Sequence, residues 1–232
     1  MSPRRTLAAL AADAGLTLTL AGCSSELTDQ LSIPGQQTPE PPAPDEREII
    51  AQAQGQLDQI PVKGRAPKTG YDRDEFGQRW ADIDRNGCDQ RNDVLARDLT
   101  EIAYDSPASC RVVSGVFDDP YSGETIDFTR GQGTSSDVQI DHTVALSNAW
   151  QTGAQQLSAD QREQLANDLD NLAAMDGPTN QAKGDGDAAT WLPPDRSSWC
   201  GYVASQTLIK DRYELWMTPP EHERISEILD DC

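Results

Sequence analysis

The chain has 232 residues, 36% hydrophobic and 25% charged, which suits one domain of moderate size with some unfolded periphery. Its 39 Asp and Glu against 19 Lys and Arg give a formal charge of −20, excluding a surface that captures nucleic acid by bulk electrostatics. No apolar run is long enough to read as a membrane-spanning helix, and two histidines, His142 and His222, exclude a His-rich zinc site.

Arg4 and Arg5 precede an apolar stretch from Leu7 to Ala21, the pattern of a secretory signal. The ending Leu20-Ala21-Gly22-Cys23 resembles a bacterial lipobox, which implies that Cys23 becomes the lipidated first residue of the mature protein. Asp13 interrupts the apolar stretch, as a lipobox leader does not require. Residues 1–22 are therefore expected to be a signal peptide. The chain is expected to be exported and lipid-anchored through Cys23 on the outer side of the cell membrane, or else secreted.

Residues 23–62 are polar, acidic and rich in proline (Pro34, Pro39, Pro41, Pro42, Pro44) and are expected to be a disordered tether. Within it Glu46 to Leu57 offers a short helix with few apolar residues. The folded domain is expected over residues 63–232. With Cys23 set aside, Cys88, Cys110, Cys200 and Cys232 form an even set for an oxidising compartment. Three pairings exist, and the local ones, Cys88–Cys110 and Cys200–Cys232, are favoured.

Within the domain, Val94, Leu95, Leu99 and Ile102 predict a helix over Asp89 to Ile102. Arg111 to Phe117 and Glu124 to Phe128 predict short strands around a turn at residues 118–123, and Asp137 to Asp141 predicts another. Val144 to Trp150 is expected to be helical. Ser158 and Gln161 form a capping box that opens a helix to about Asn167. Asn171 to Met175 follows as a strand. Pro178 opens a helix carrying Asn180 and Lys183. Tyr202, Ile209, Tyr213 and Trp216 mark one helical face, and Thr218 to Glu221 starts a last helix. The expected class is α+β with helices dominant, and the five Trp residues are expected in the core.

The informative stretch is Asp137 to Leu146, where a strand ends in Asp141-His142. Asp170-Asn171-Leu172 follows, then Gly177-Pro-Thr-Asn180-Gln-Ala-Lys183-Gly184. Strand, strand and helix carrying Asp-His, Asn, then Asn and Lys is the order of a ββα-metal (His-Me finger) nuclease site. The region resembles the HNH endonuclease superfamily, more narrowly the GmrSD-type C-terminal domain of exported actinobacterial proteins. The likeness extends to Trp80 through Cys88, Arg97-Asp98-Leu99 and Trp191 through Pro194.

The resemblance implies phosphodiester hydrolysis. It makes Asp141 and Asn180 ligands of a divalent metal and His142 the base that deprotonates the attacking water. It makes Asn171 the brace that orients the histidine. Lys183, three residues after Asn180 on the helix, is a candidate phosphate contact. Oxygen ligands suit Mg²⁺ or Mn²⁺ better than zinc. The implied partner is nucleic acid, DNA ahead of RNA, and no protein partner is inferable. Ala145 stands where the family often has proline, and the final His of the HNH name is absent.

Arg73, Arg91 and Arg97 are further candidate phosphate contacts, while His222, between Glu221 and Glu223, reads as a solvated helix residue. Asp82-x-Asp84-x-Asn86-Gly87 resembles the first half of an EF-hand loop, with Asp93 at the twelfth position. That pattern offers a calcium-stabilised envelope protein as a separate reading. From residue 71 onward acids outnumber bases 31 to 13, so the acidity belongs to the domain itself. This acidity motivates the rival to a nuclease, a non-catalytic cell-surface lipoprotein that keeps the fold as a binding or structural module. It also leaves room for a locally basic site on an acidic body.

Overall fold

The computed structural model describes residues 45–232, so the expected signal peptide, Cys23 and the tether as far as residue 44 lie outside the described residues. Helix α1 (Glu46–Leu57) starts at Asp45, whose carboxylate accepts from the Arg47 N–H at 3.3 Å. Here the structure corrects the expected tether of 23–62. Ala53, Leu57 and Ile60 are buried in one core cluster with Val203 and Ile225. Those partners belong to α6 (Trp199–Arg212) and α7 (Pro219–Asp230). Ile49, Ala53, Leu57 and Ile60 recur every three or four residues, a thin apolar stripe on a polar helix. Each aliphatic side chain fully buried in this way contributes about 1.5–3 kcal/mol.

Helix α2 (Gln90–Asp98) is capped by Asp89, which accepts from the Asn92 N–H at 2.9 Å. It ends before the expected Ile102, because Thr100 and Ile102 lie on a strand. Strands β1 (Thr100–Tyr104), β2 (Val112–Asp118) and β3 (Thr125–Thr129) form an antiparallel meander in that order. Strand β4 (Val138–His142) pairs antiparallel with β5 (Leu172–Asp176), which sets His142 opposite Leu172 and Asp141 opposite Ala173. Between them run α3 (Leu146–Gln151) and α4 (Ala159–Asn167), the latter opened by the expected Ser158–Gln161 capping box.

Strand β5 passes directly into α5 (Gly177–Lys183), with Asp176 capping the Thr179 N–H at 2.9 Å. Glycine is needed at this junction, since a Cβ on Gly177 would stand 2.6 Å from the Ser136 carbonyl oxygen. The architecture is α+β with helices dominant, as expected. A second buried cluster joins Phe76, Trp150 and Leu165, and a third joins Val94, Leu95, Phe117, Ile140 and Leu172 beneath the strands.

The two favoured disulfides are present, Cys88–Cys110 and Cys200–Cys232. The calcium-like turn closes on itself. The Asp82 carboxylate accepts from the Asn86 and Gly87 N–H groups at 3.1 and 3.0 Å, and the Asn86 amide oxygen accepts from Cys88 N–H at 2.7 Å. These bonds account for the Asp-x-Asp-x-Asn-Gly pattern as a turn. Among the described residues no helix is long and apolar enough to cross a membrane.

Candidate active site

Strand β4 ends on Asp141 and His142, the start of β5 follows Asn171, and α5 brings Asn180 and Lys183. The fold therefore gathers all five expected residues. Asp141, His142 and Asn180 line one cavity of about 640 Å³. Asn171 and Lys183 stand behind its wall.

His142 is 6% exposed, and its Nε2 lies 2.9 Å from the Ala166 carbonyl oxygen. A carbonyl only accepts, so Nε2 carries the proton and Nδ1 keeps the lone pair, a tautomer assigned from this bond. Burial pushes the imidazole pKa down to about 3, against the pull of the Ala166 carbonyl and with the help of Arg73, Lys183 and Arg79. The ring is neutral at physiological pH. Trp80 stacks on it, ring centroids 6.2 Å apart and planes within 10°. Trp80 holds φ 58°, a left-handed conformation uncommon for a bulky residue. It was expected as simple core and instead covers the His142 imidazole.

Asn171, which the resemblance makes a brace, is fully buried. Its Oδ1 accepts from the Val144 N–H at 2.8 Å, and its Nδ2 donates to the Leu165 carbonyl at 3.1 Å. One amide thus ties the turn after His142 to the residue before Ala166, the histidine's own partner. Ala145, in the family's frequent proline position, has φ −55°, which a proline ring would also satisfy.

Lys183 differs from its expected role as a phosphate contact. Its side chain is 0% exposed, with Nζ 2.7 Å from Asp141 Oδ2 and 2.7 Å from the His142 carbonyl oxygen. The helical spacing that puts it near Asn180 turns its ammonium inward, so it is a positioning residue that fixes the Asp-His pair. Burial raises the Asp141 pKa, opposed by Lys183 and by the His142 N–H. Asn180 donates from Nδ2 to Gln139 Oε1 at 2.9 Å, which leaves its Oδ1 as the acceptor. Among the described residues no group of three His, Cys, Asp or Glu side chains is placed to hold a metal ion. Asp141 and Asn180 are among the oxygen donors of the cavity wall, with Asp185, Gln139 and three serines.

The lining also carries four cations, Lys68, Arg73, Arg79 and Arg91. Lys68 pairs with Asp185 at 3.2 Å. Arg73, Arg79 and Arg91 make no ion pair among the described residues, although the chain carries twice as many acids as bases. Arg79 lies over the Trp80 ring at 5.0 Å. Arg97, another expected contact, is spent elsewhere. It binds Asp98 at 2.6 Å and the Leu169 and Leu172 carbonyls at 2.8 and 2.7 Å, tying α2 to β5. Lys68, Arg79 and the covering role of Trp80 were missed, because nothing local in their sequence marks them. His222 is half-buried on α7, away from this cavity.

A neutral histidine and unpaired guanidiniums thus share one cavity with Asp141 and Asn180. Residues 89–228 match the family described as the C-terminal domain of GmrSD restriction endonucleases. The match spans more than half of the sequence, and the chain belongs to this family, as the resemblance implied. The chain is also 39% identical over 198 residues to an "Uncharacterized secreted protein" of Arthroderma benhamiae, covering 84% of this chain and 92% of that relative. No solved structure matches the chain.

Proposed function

We propose that the protein is an exported, metal-dependent endonuclease of the HNH class that hydrolyses phosphodiester bonds, with His142 as general base. One observation carries the reading: His142, held neutral by burial and fixed in tautomer by its Ala166 contact, lies in a cavity lined by Asp141, Asn180 and unpaired arginines. Nδ1 takes the proton of the attacking water, and the Asn171 clamp keeps the ring from turning. Arg73 and Arg79 face the charge that develops on the phosphorane oxygens. Substrate charge offsets the share of the His142 depression that Arg73 and Arg79 contribute, while the larger share, from burial, stays.

Asp141 and Asn180 fit a hard divalent ion. They offer one carboxylate and one amide oxygen, the sparse protein donor set with which Mg²⁺ or Mn²⁺ keeps several waters. Such an ion supplies Lewis-acid polarisation of the phosphate and stabilises the leaving oxygen. Lys183 holds the Asp141 carboxylate in place and favours its charged form. The substrate is nucleic acid, DNA ahead of RNA. Export is supported by two disulfides and by the secreted relative, and the lipid anchor on Cys23 completes the proposal.

The test is cleavage of plasmid DNA and of RNA with Mg²⁺, with Mn²⁺ and with EDTA. Loss of the base in His142→Ala is expected to cost roughly 10²–10⁴-fold in rate. Equal rates for wild type and variant would overturn the reading. The competing reading, a non-catalytic binding module, draws on the Lys183 ammonium already sitting on Asp141. It predicts that calorimetry finds no divalent-ion binding in the micromolar-to-millimolar range.

A further inference from the structure

The unpaired arginines do not stop at the cavity. Arg91 reaches the Ser135 and Val138 carbonyls with one nitrogen, at 3.2 and 3.3 Å, and is half-buried. The next residue, Asn92, accepts through Oδ1 from Arg130 Nη2 at 2.7 Å. Arg130 Nε in turn donates to the Val112 carbonyl at 2.6 Å. Val112 follows Arg111, which is exposed and keeps one loose partner, Asp105 at 3.7 Å. Arg73, Arg79, Arg91, Arg130 and Arg111 therefore form a row from the cavity to the start of β2.

The members feel one another. Partial burial and Arg73 depress the Arg79 pKa, and burial, Arg130 and Arg79 depress that of Arg91. Burial and Arg111 depress that of Arg130. Like charges so gathered are unfavourable in the free protein, and on this acidic chain carboxylates to neutralise them are plentiful elsewhere. The backbone carbonyls that anchor Arg91 and Arg130 orient their guanidiniums without cancelling the charge, and the Asp89 carboxylate offsets it only in part.

We propose that Arg91, Arg130 and Arg111 continue the cationic cavity lining into a row that holds successive phosphates of a nucleic-acid strand. The substrate is then a polymer gripped over several nucleotides on the β2 side of the scissile bond. This deepens the nuclease reading and rests on it for the position of the scissile phosphate. It also reconciles a −20 chain with a polyanionic substrate, because capture is local.

The test uses Arg130→Gln and Arg111→Gln, both outside the cavity. Arg111 is exposed, so its variant folds even if loss of the Arg130 anchor disturbs the fold. Binding of a labelled oligonucleotide is followed by fluorescence anisotropy over a series of salt concentrations, alongside hydrolysis of bis(4-nitrophenyl) phosphate. Each variant is expected to lower the slope of log affinity on log salt by roughly 1, evenly across sequences. Hydrolysis of the small diester should stay at the wild-type rate. Wild-type slopes in both variants, or no oligonucleotide binding by wild type, would overturn the row. Binding to a sulfated polysaccharide alone would overturn it as well. A small diester cut no faster by wild type than by His142→Ala instead overturns the nuclease reading, whatever the slopes.

Discussion

Replacing Lys183 with methionine separates a buried positioning residue from an exposed phosphate contact. The Lys183 side chain is 0% exposed and that of Asp141 9%, with 2.7 Å between Nζ and Oδ2. Removing one partner of a buried pair strands the other charge and costs about 3–5 kcal/mol. For a domain of this size each kcal/mol moves Tm by about 2–4 °C, so the fall should be roughly 6–20 °C. The penalty should depend on pH. Burial already raises the Asp141 pKa, and loss of Lys183 removes the main influence that lowers it. The stranded charge therefore destabilises the variant above that raised pKa, and acid relieves it, so the difference in Tm narrows from pH 8 to pH 5. Thermal unfolding by circular dichroism at the two pH values measures this. The double variant Asp141→Asn with Lys183→Met should recover much of the lost stability but not activity. A loss within the ±0.5 kcal/mol of ordinary surface substitutions, or a double variant no better than the single, would refute the buried-pair argument.

Three more outcomes follow from the same geometry. Burial sets the folded His142 pKa near 3, below the ordinary 6.5, so its stabilising contribution is complete above pH 6.5 and is lost as pH falls toward 3. His142→Asn should flatten the stability profile over that window in acid titrations, and parallel profiles would count against it. Asn171→Ala leaves the Val144 N–H and Leu165 carbonyl without partners at about 1–3 kcal/mol each, so urea unfolding should show a loss of roughly 2–5 kcal/mol, and a loss under 1 would sink the brace. In Gly177→Ala the new Cβ meets the Ser136 carbonyl at 2.6 Å and Gln139 Nε2 at 3.0 Å. Overpacking of about 1–3 kcal/mol and displacement of Asn180's partner should follow, read as a lower Tm and weaker Mn²⁺ binding by calorimetry, with unchanged Mn²⁺ affinity as the contrary result.

What the sequence made legible was local. Asp141-His142 at a strand end, Asn171 before the next strand and Asn180 on the following helix lie within short stretches whose order carries meaning. The capping residues Asp89, Ser158 and Thr218 announced their helices in the same way. Among the arginines, Arg73 and Arg91 were candidate phosphate contacts from the sequence and do line the cavity, whereas Arg79 and Arg130 were missed. Arg73, Arg79, Arg91 and Arg130 come from four segments, and only tertiary packing brings them to one cavity and its edge. Spacing alone puts Lys183 on the face of Asn180, but it does not say whether the long side chain leans into the cavity or behind its wall. Helix α1 was undervalued because its apolar residues are few. Ile49, Ala53, Leu57 and Ile60 held the helical period, and that signal could have found it.

The bond between Cys88 and Cys110 sits beside the arginine row, one sulfur three residues before Arg91 and the other directly before Arg111. The pair Lys183–Asp141 and the clamp of Asn171 involve no sulfur. Grip and chemistry are thus secured by different kinds of bond. Opening Cys88–Cys110 alone, as in a Cys88→Ser, Cys110→Ser variant, is expected to loosen the two ends of the proposed grip while the contacts of Lys183 and Asn171 remain. Such a variant should bind an oligonucleotide more weakly and still hydrolyse a small diester at the wild-type rate.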